Sequence, residues 1–248
     1  MKTLKNILKL AGLGLRRPAD VAWFLGTLRR WQRAAPPEWR ASSAELKPCL
    51  KDRHDSAGSA RGHYFLQDIW AAQHVHRHGA SEHVDVASRV DGFVAHVVSF
   101  KPVRYVDIRP LESTVPGLTW QEGTVCALPQ ADRSIASLSC LHVIEHIGLG
   151  RYGDPLDPNG WLDGLRELQR VLKPGGQLLI GTPCGRQRVI FHAHRVFSPA
   201  QIVAALPELQ LVEFSLIKDN SATAWITNSP LDASDGLPYA CGLFRFTR

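Results

Sequence analysis

Asp85 stands next to last in one short run rich in β-branched residues, His83-Val-Asp-Val86, Asp107 closes a second, Val103-Arg-Tyr-Val-Asp107, and a turn-and-helix stretch lies between them. A strand ending in a tight turn, a helix, and a second strand closing on an acid make up a nucleotide-cofactor half-site. The turn brings backbone close to the ligand, and the acid accepts hydrogen bonds from vicinal ribose hydroxyls. A carboxylate suits that task because it accepts two such bonds at once. Asp107, with Ile108 beside it, marks the ribose end, and Asp85, Ala87, Ser88, Arg89 and Gly92 mark the turn. The turn departs from the glycine-rich pattern: Ala87 stands where a glycine would normally allow closest approach, and Arg89 to Asp91 replace small residues. That counts against a dinucleotide, whose pyrophosphate needs the full turn.

A second group of capable side chains follows the apolar run Ile135 to Cys140. His142 and His146, four residues apart beside Glu145, share one face if the segment is helical. Imidazole titrates near neutrality and suits general-base duty, while the competing role for Glu145-His146 is to order the loop. Gly148-Leu-Gly-Arg-Tyr-Gly-Asp-Pro155 is glycine-rich but lacks the Lys-Ser/Thr ending of a phosphate loop, so Arg151, Tyr152 and Asp154 read as contacts to a polar substrate. His192, His194 and Arg195 follow a later strand, where loops border the cleft of an open α/β sheet; they join the substrate contacts, and His194 also joins the catalytic candidates. No metal is expected: His192 and His194 lack a third ligand, and His74, His76 and His78 fall on different faces of a helix.

The elements that must carry these residues can be read from periodicity. Beyond Ser81, β-rich runs at His83 to Ala87, Arg104 to Ile108, Ile135 to Cys140, Gln177 to Thr182, Leu211 to Leu216 and Cys241 to Phe246 alternate with helical stretches at Gly92 to Phe100, Leu162 to Leu172 and Pro199 to Leu206. Alternation of this kind predicts βαβ units and a parallel sheet. A helix over Tyr64 to His78 leads in. Ala34 to Gly62, with Pro36, Pro37 and Pro48, reads as a linker, and Leu4 to Leu28 as two short amphipathic helices. The expected organisation is a basic helical segment and linker over 1–62 and an α/β domain over 63–248.

The chain of 248 residues is 44% hydrophobic and 21% charged, which excludes disordered and fibrous classes. Its five cysteines form no CxxC pair, as befits a reducing cytosol. Net charge is +6, with Lys2, Lys5, Lys9, Arg16, Arg17, Arg29, Arg30, Arg33 and Arg40 crowding the start. Residues 1–33 either lean on a membrane interface or dock onto the main domain or a second subunit, the last making a homodimer. The expected location is cytoplasmic, or peripheral to the membrane.

An ordered series narrows the reading: Gly123-Thr-Val-Cys-Ala-Leu-Pro129, Ile135 to His146, and Leu168-Gln-Arg-Val-Leu-Lys-Pro-Gly-Gly176 before the strand Gln177 to Thr182. The series resembles the class I S-adenosylmethionine-dependent methyltransferases. That resemblance implies an α/β fold with a doubly wound, mostly parallel seven-stranded, Rossmann-like sheet behind a helical N-terminal extension, and S-adenosyl-L-methionine as cofactor. The loop Val125 to Leu128 could line an adenine pocket with backbone amides and apolar side chains, Ala127 and Leu128 being its cofactor contacts, and the resemblance puts Cys140 and His142 at the end of the fourth strand near the methyl donor. Ser88-Arg-Val-Asp-Gly-Phe-Val-Ala-His96, Asp107-Ile-Arg-Pro110, His146 to Pro155 and Phe191-His-Ala-His-Arg-Val-Phe197 are similar to a small methyltransferase-like family, DUF268, associated with bacterial surface-glycan synthesis.

The implied activity is methyl transfer to a polar small-molecule or saccharide acceptor, and the alternative is a non-catalytic binding or assembly subunit of the same fold. Nucleic acid is not an expected partner: Leu141-His-Val-Ile144 stands where a base-methylating enzyme carries an Asn-Pro-Pro-Tyr-like tetrapeptide, and the basic residues concentrate outside the domain.

Overall fold

The computed structural model describes residues 18–219 and 224–248. The chain divides into two compact units, Met1–Ser59 and Ala60–Arg248. In the first, helix α1 (Pro18–Ala34) begins at the proline, which is tolerated in a first turn because its missing N–H would have no helical partner there. The expected helix over Leu4 to Leu15 lies outside the described residues. The stretch expected as a linker carries two single 3₁₀ turns, Pro37–Trp39 and Asp52–His54, and within this unit His54 Nε2 lies 2.8 Å from the Asp20 carboxylate. Among the described residues no helix is long and apolar enough to cross a membrane.

The second unit is a doubly wound α/β domain. Helix α2 (His63–Arg77) precedes strand β1 (His83–Val86), a single π turn (Val90–Val94), α3 (Ala95–Val98), β2 (Val103–Asp107), β3 (Leu118–Glu122) and β4 (Ile135–Leu141). Then come α4 (Gly160–Val171), β5 (Leu172–Cys184), the hairpin β6 (Arg188–Ile190) and β7 (His194–Val196), α5 (Pro199–Ala204), β8 (Gln210–Lys218) and β9 (Ala240–Thr247). The seven-stranded sheet runs β3-β2-β1-β4-β5-β9-β8, and β9 pairs antiparallel with both its neighbours.

Period-two alternation drives this arrangement. Leu178 and Ile180 of β5, and Phe244 and Phe246 of β9, enter one core cluster with Leu165 and Leu168 of α4 and Ile202 of α5. Leu179 and Leu243 point to the other face and pack with Trp70 and Val75 of α2 and with Phe93 and Val97. β3, Leu-Thr-Trp-Gln-Glu, was absent from the strand expectations because it is an edge strand whose residues are half-buried or exposed, so no apolar run announces it. The Lys173-Pro-Gly-Gly176 segment bulges out between Leu172, paired with Ile135, and Gln177, paired with Ser137. Gly175 has φ +72°, and a Cβ on Gly176 would lie 2.9 to 3.1 Å from three carbonyl oxygens, so both glycines are required there.

Candidate functional site

β1 and β4 are neighbours whose onward connections run in opposite directions, β1 toward β2 and β3, and β4 toward β5. Ligand clefts of open α/β sheets form at such a reversal, beyond the strand C-termini. A cavity with two adjoining lobes of about 330 and 610 Å³ opens there, and both are lined by Ala87, Asp107, Arg109, His142, His146 and Tyr152.

The turn after β1 is built from beneath. Ala87 adopts φ +57°, the left-handed region that costs an alanine about 1–2 kcal/mol. Its N–H bonds to Val106 O at 2.9 Å, which ties the turn to β2. Buried Asp85 accepts from Ser88 N (3.0 Å) and Ser88 Oγ (2.7 Å) and from the Ser139 hydroxyl, while Ser88 Oγ accepts from Leu141 N at 3.0 Å. The chain continues through His83, whose ring nitrogens lie 2.8 Å from Ser139 Oγ and Ser137 Oγ. Burial pushes the Asp85 carboxyl up to about 6, opposed by the Ser139 and Ser88 hydrogen bonds, and pushes His83 down to about 3. Asp85 therefore does not line the cavity: it anchors the turn, and Ala87, Ser88 and Arg89 present the surface. Gly92 does not line it either. A Cβ there would come within 2.2 Å of Asp68 Oδ2, so this glycine serves the approach of α2.

Asp107 ends β2 with every acceptor direction engaged. Oδ1 accepts from Arg109 N (2.8 Å) and Nε (3.0 Å), and Oδ2 accepts from Tyr105 OH and Arg109 Nη2, both at 2.8 Å. Burial would raise this carboxyl, but the Arg109 and Tyr105 hydrogen bonds outweigh it and hold it below the usual range. The Arg109 side chain is 62% exposed and lies 5.5 Å from the Tyr152 ring centroid, so it covers the acid from the solvent side.

Of the expected adenine contacts, neither Ala127 nor Leu128 lines the cavity. Thr124, Val125 and Cys126 do, beside Ile108. Leu128 turns into the core, and its N–H bonds to Glu167 Oε2 at 3.0 Å. Cys140 is wholly buried in the same cluster, on the face packed against α4, and is likewise no cavity residue.

On the β4 side His142 adopts φ +53°, and its Nδ1 donates to Gln67 Oε1 at 2.6 Å. Burial, and then the neighbouring histidines, push it down to about 3, so the ring is neutral with Nε2 free of the proton. His146 does not stack over His142 on a long helix, because Ile144–His146 is only a 3₁₀ turn. Its Nδ1 donates to Ala193 O at 2.6 Å, and its Nε2 lies 3.8 Å from Glu145 Oε1. Burial pushes Glu145 up to about 8.

The remaining expected contacts separate. Tyr152 and Asp154 line the cavity, although Asp154 is occupied in accepting from the N–H groups of Gly148 (2.7 Å), Gly150 (3.3 Å) and Tyr152 (3.1 Å), which shapes the glycine-rich loop. Arg151 donates to Ala193 O at 3.1 Å and lies over the Tyr152 ring, at the rim. Buried Arg195 donates to Ile147 O (2.5 Å), Glu145 O (3.5 Å) and Pro158 O (3.4 Å), so it is a brace and not a substrate contact. His192 is exposed in the β6–β7 turn, away from the cavity. The His194 ring lies 6.5 Å from that of His146, without lining either lobe.

Tyr64 and Gln67 of α2, together with Arg109, were missing from the sequence expectations. Arg109 had a signal, two residues past the ribose acid. Tyr64 and Gln67 had none, because their role arises only when α2 packs across the ends of β4 and β5.

A family model described as "Caenorhabditis protein of unknown function, DUF268" matches residues 131–225. No curated protein matches the chain in sequence. Among solved structures, the N-methyltransferase NodS from Bradyrhizobium japonicum WM9, in complex with S-adenosyl-L-homocysteine, is 16% identical with a TM-score of 0.51, over 90% of this chain and 97% of that one. A putative sarcosine dimethylglycine methyltransferase from Galdieria sulphuraria is 14% identical, TM-score 0.52, over 73% and 84%. The [4+2]-cyclase SpnF is 11% identical, TM-score 0.56, over 77% and 85%. The fold is that of the Rossmann-like class I methyltransferases, and a cyclase among these structures indicates that the fold alone does not choose the reaction.

Proposed function

We propose that the protein is an S-adenosylmethionine-dependent methyltransferase acting on a polar small-molecule or saccharide acceptor. The observation that carries the reading is the convergence of three separate elements on one cavity: the left-handed turn at Ala87, the acid Asp107 ending β2, and His142 ending β4. Thr124, Val125, Cys126 and Ile108 supply a largely apolar pocket for the adenine, Asp107 takes the ribose hydroxyls, and the sulfonium lies toward His142. Arg109 must swing off Asp107 as the ribose arrives, since one carboxylate cannot serve both sets of donors.

Methyl transfer from a sulfonium is an in-line displacement, so holding donor and acceptor in line supplies much of the rate. In this reading Tyr64 and Tyr152 frame the acceptor, Arg151 stands at the rim, and His142 and His146, with His194 behind His146, are the groups available to take a proton from a hydroxyl or amine. Membership in a surface-glycan route, a dimer, and membrane contact through residues 1–33 are extensions of this reading.

Isothermal titration of the full chain with S-adenosylmethionine and S-adenosylhomocysteine tests it. Binding of both is the expected result. Folded protein that binds neither sinks the reading in favour of a non-catalytic assembly subunit, for which the fully engaged Asp107 is the supporting observation.

A further inference from the structure

Three residues remote in sequence, His63 at the start of α2, His142 after β4 and Cys241 in β9, bring one nitrogen or sulfur each within 4.8 Å of one another. From this cluster we infer a zinc site whose protein ligands are His63, His142 and Cys241. The sequence spacing hides it, because the three come together only when α2 crosses the ends of β4 and β9.

Each ligand is presented as a metal site requires. A ligating imidazole normally gives its other nitrogen to an oxygen acceptor, which fixes the tautomer. His142 does so: Nδ1 donates to Gln67 Oε1 at 2.6 Å, leaving Nε2 as a bare lone pair. The His63 side chain is only 9% exposed, and its Nε2 faces Asp219 Oδ1 at 2.8 Å, an oxygen acceptor of the kind that fixes the tautomer of a ligating imidazole. The Cys241 thiol is fully buried and free of any disulfide, and its one hydrogen bond among the described residues is to Gly242 O at 3.9 Å. His142 also pays for its position with a left-handed backbone (φ +53°), the kind of local strain that functional sites retain.

Two imidazoles and a thiolate are a borderline-soft set suited to zinc, with ligand bonds of about 2.0–2.3 Å. Tetrahedral closure needs the ligand atoms to draw in by roughly 1 Å from their widest spacing, within reach of ring rotation at the first turn of α2. Three protein ligands leave a fourth position for a water or an acceptor oxygen, and His142 is the ligand that also lines the cleft. A hydroxyl bound there would be acidified. With a metal bound, His142 is a ligand and proton acceptance falls to His146; metal binding itself is read without S-adenosylmethionine.

Untagged full-length protein, stripped with a chelator and titrated with Co²⁺ as the probe, is expected to take up one equivalent with near-ultraviolet thiolate-to-cobalt absorption that added Zn²⁺ erases. Cys241→Ser should abolish the absorption, and His63→Gln should weaken Co²⁺ binding about tenfold or more. Cys49→Ser, at an exposed thiol, should change nothing. Wild-type protein without the thiolate absorption, or absorption that persists in Cys241→Ser, overturns the inference. If Cys241→Ser does not fold, the His63→Gln titration decides alone, and unchanged affinity there overturns it.

Discussion

The two sides of the cleft differ in how completely their polar atoms are paired. On the β1–β2 side the carboxylates of Asp85 and Asp107 have hydrogen bonds to both oxygens, from serines beneath and from Tyr105 and Arg109. On the β4–β5 side, Glu145 Oε1 and His194 Nε2 are buried without a hydrogen-bond partner among the described residues. Buried polar groups are ordinarily paired, and exceptions concentrate where a ligand or reaction supplies the partner. One side is thus prearranged to hold a ligand of fixed shape, while the other keeps its chemistry available.

The largest expected effect tests the paired side. Asp107→Ala removes the acceptor for both ribose hydroxyls, at about 1.5–3 kcal/mol for a hydrogen bond to a charged group, so S-adenosylhomocysteine affinity should fall roughly 10- to 100-fold by calorimetry with the fold intact. Unchanged affinity would put the ribose elsewhere. Arg109→Ala should act in the opposite direction. Freed of its competitor, Asp107 should bind the same ligand several-fold more tightly, and weaker binding would make Arg109 a ligand contact instead of a cover.

The unpaired side is expected to declare itself through pH. Burial holds Glu145 protonated up to about pH 8 in the folded chain, against an ordinary value of 4.5. The folded state then binds a proton that the unfolded chain has released, so this group subtracts from stability progressively as pH rises across that window. Glu145→Gln should flatten that slope in chemical denaturation and gain on wild type with increasing pH. Parallel stability curves would show that Glu145 is ionised in the fold. Asp107, held low, has the opposite sign, and its contribution is lost on acidification.

The smallest effect concerns the turn. Ala87→Gly relieves the left-handed strain and should stabilise by about 1 kcal/mol, a rise in Tm of roughly 2–4 °C by calorimetry. A fall would mean that the alanine methyl packs more favourably than its backbone costs.

Much of this architecture was legible in the sequence, for reasons that particular residues make plain. Runs such as Gln177 to Thr182 are buried on both faces and read as strands at once, and Asp107 is legible because a carboxylate closing a second strand is a local pattern. Half-buried β3 leaves no such trace. Of the loop expected over Val125 to Leu128, Val125 and Cys126 face the cavity while Ala127 and Leu128 do not, because an apolar run does not say which of its members face the core. Arg195 read as a substrate contact and proved a brace, since nothing local tells a guanidinium that meets three carbonyls from one that meets a ligand. His63, Gln67 and Cys241 could not have been placed beside His142 from spacing, because tertiary packing alone assembles them.

A crystal of the full chain soaked with S-adenosylhomocysteine tests the central claim most directly. The expected density has the ribose hydroxyls on the Asp107 carboxylate, the adenine between Ile108 and Thr124 to Cys126, and the Arg109 guanidinium swung clear. A cleft still closed by the Arg109–Asp107 pair at saturating ligand, or the nucleoside bound away from Asp107, would contradict it.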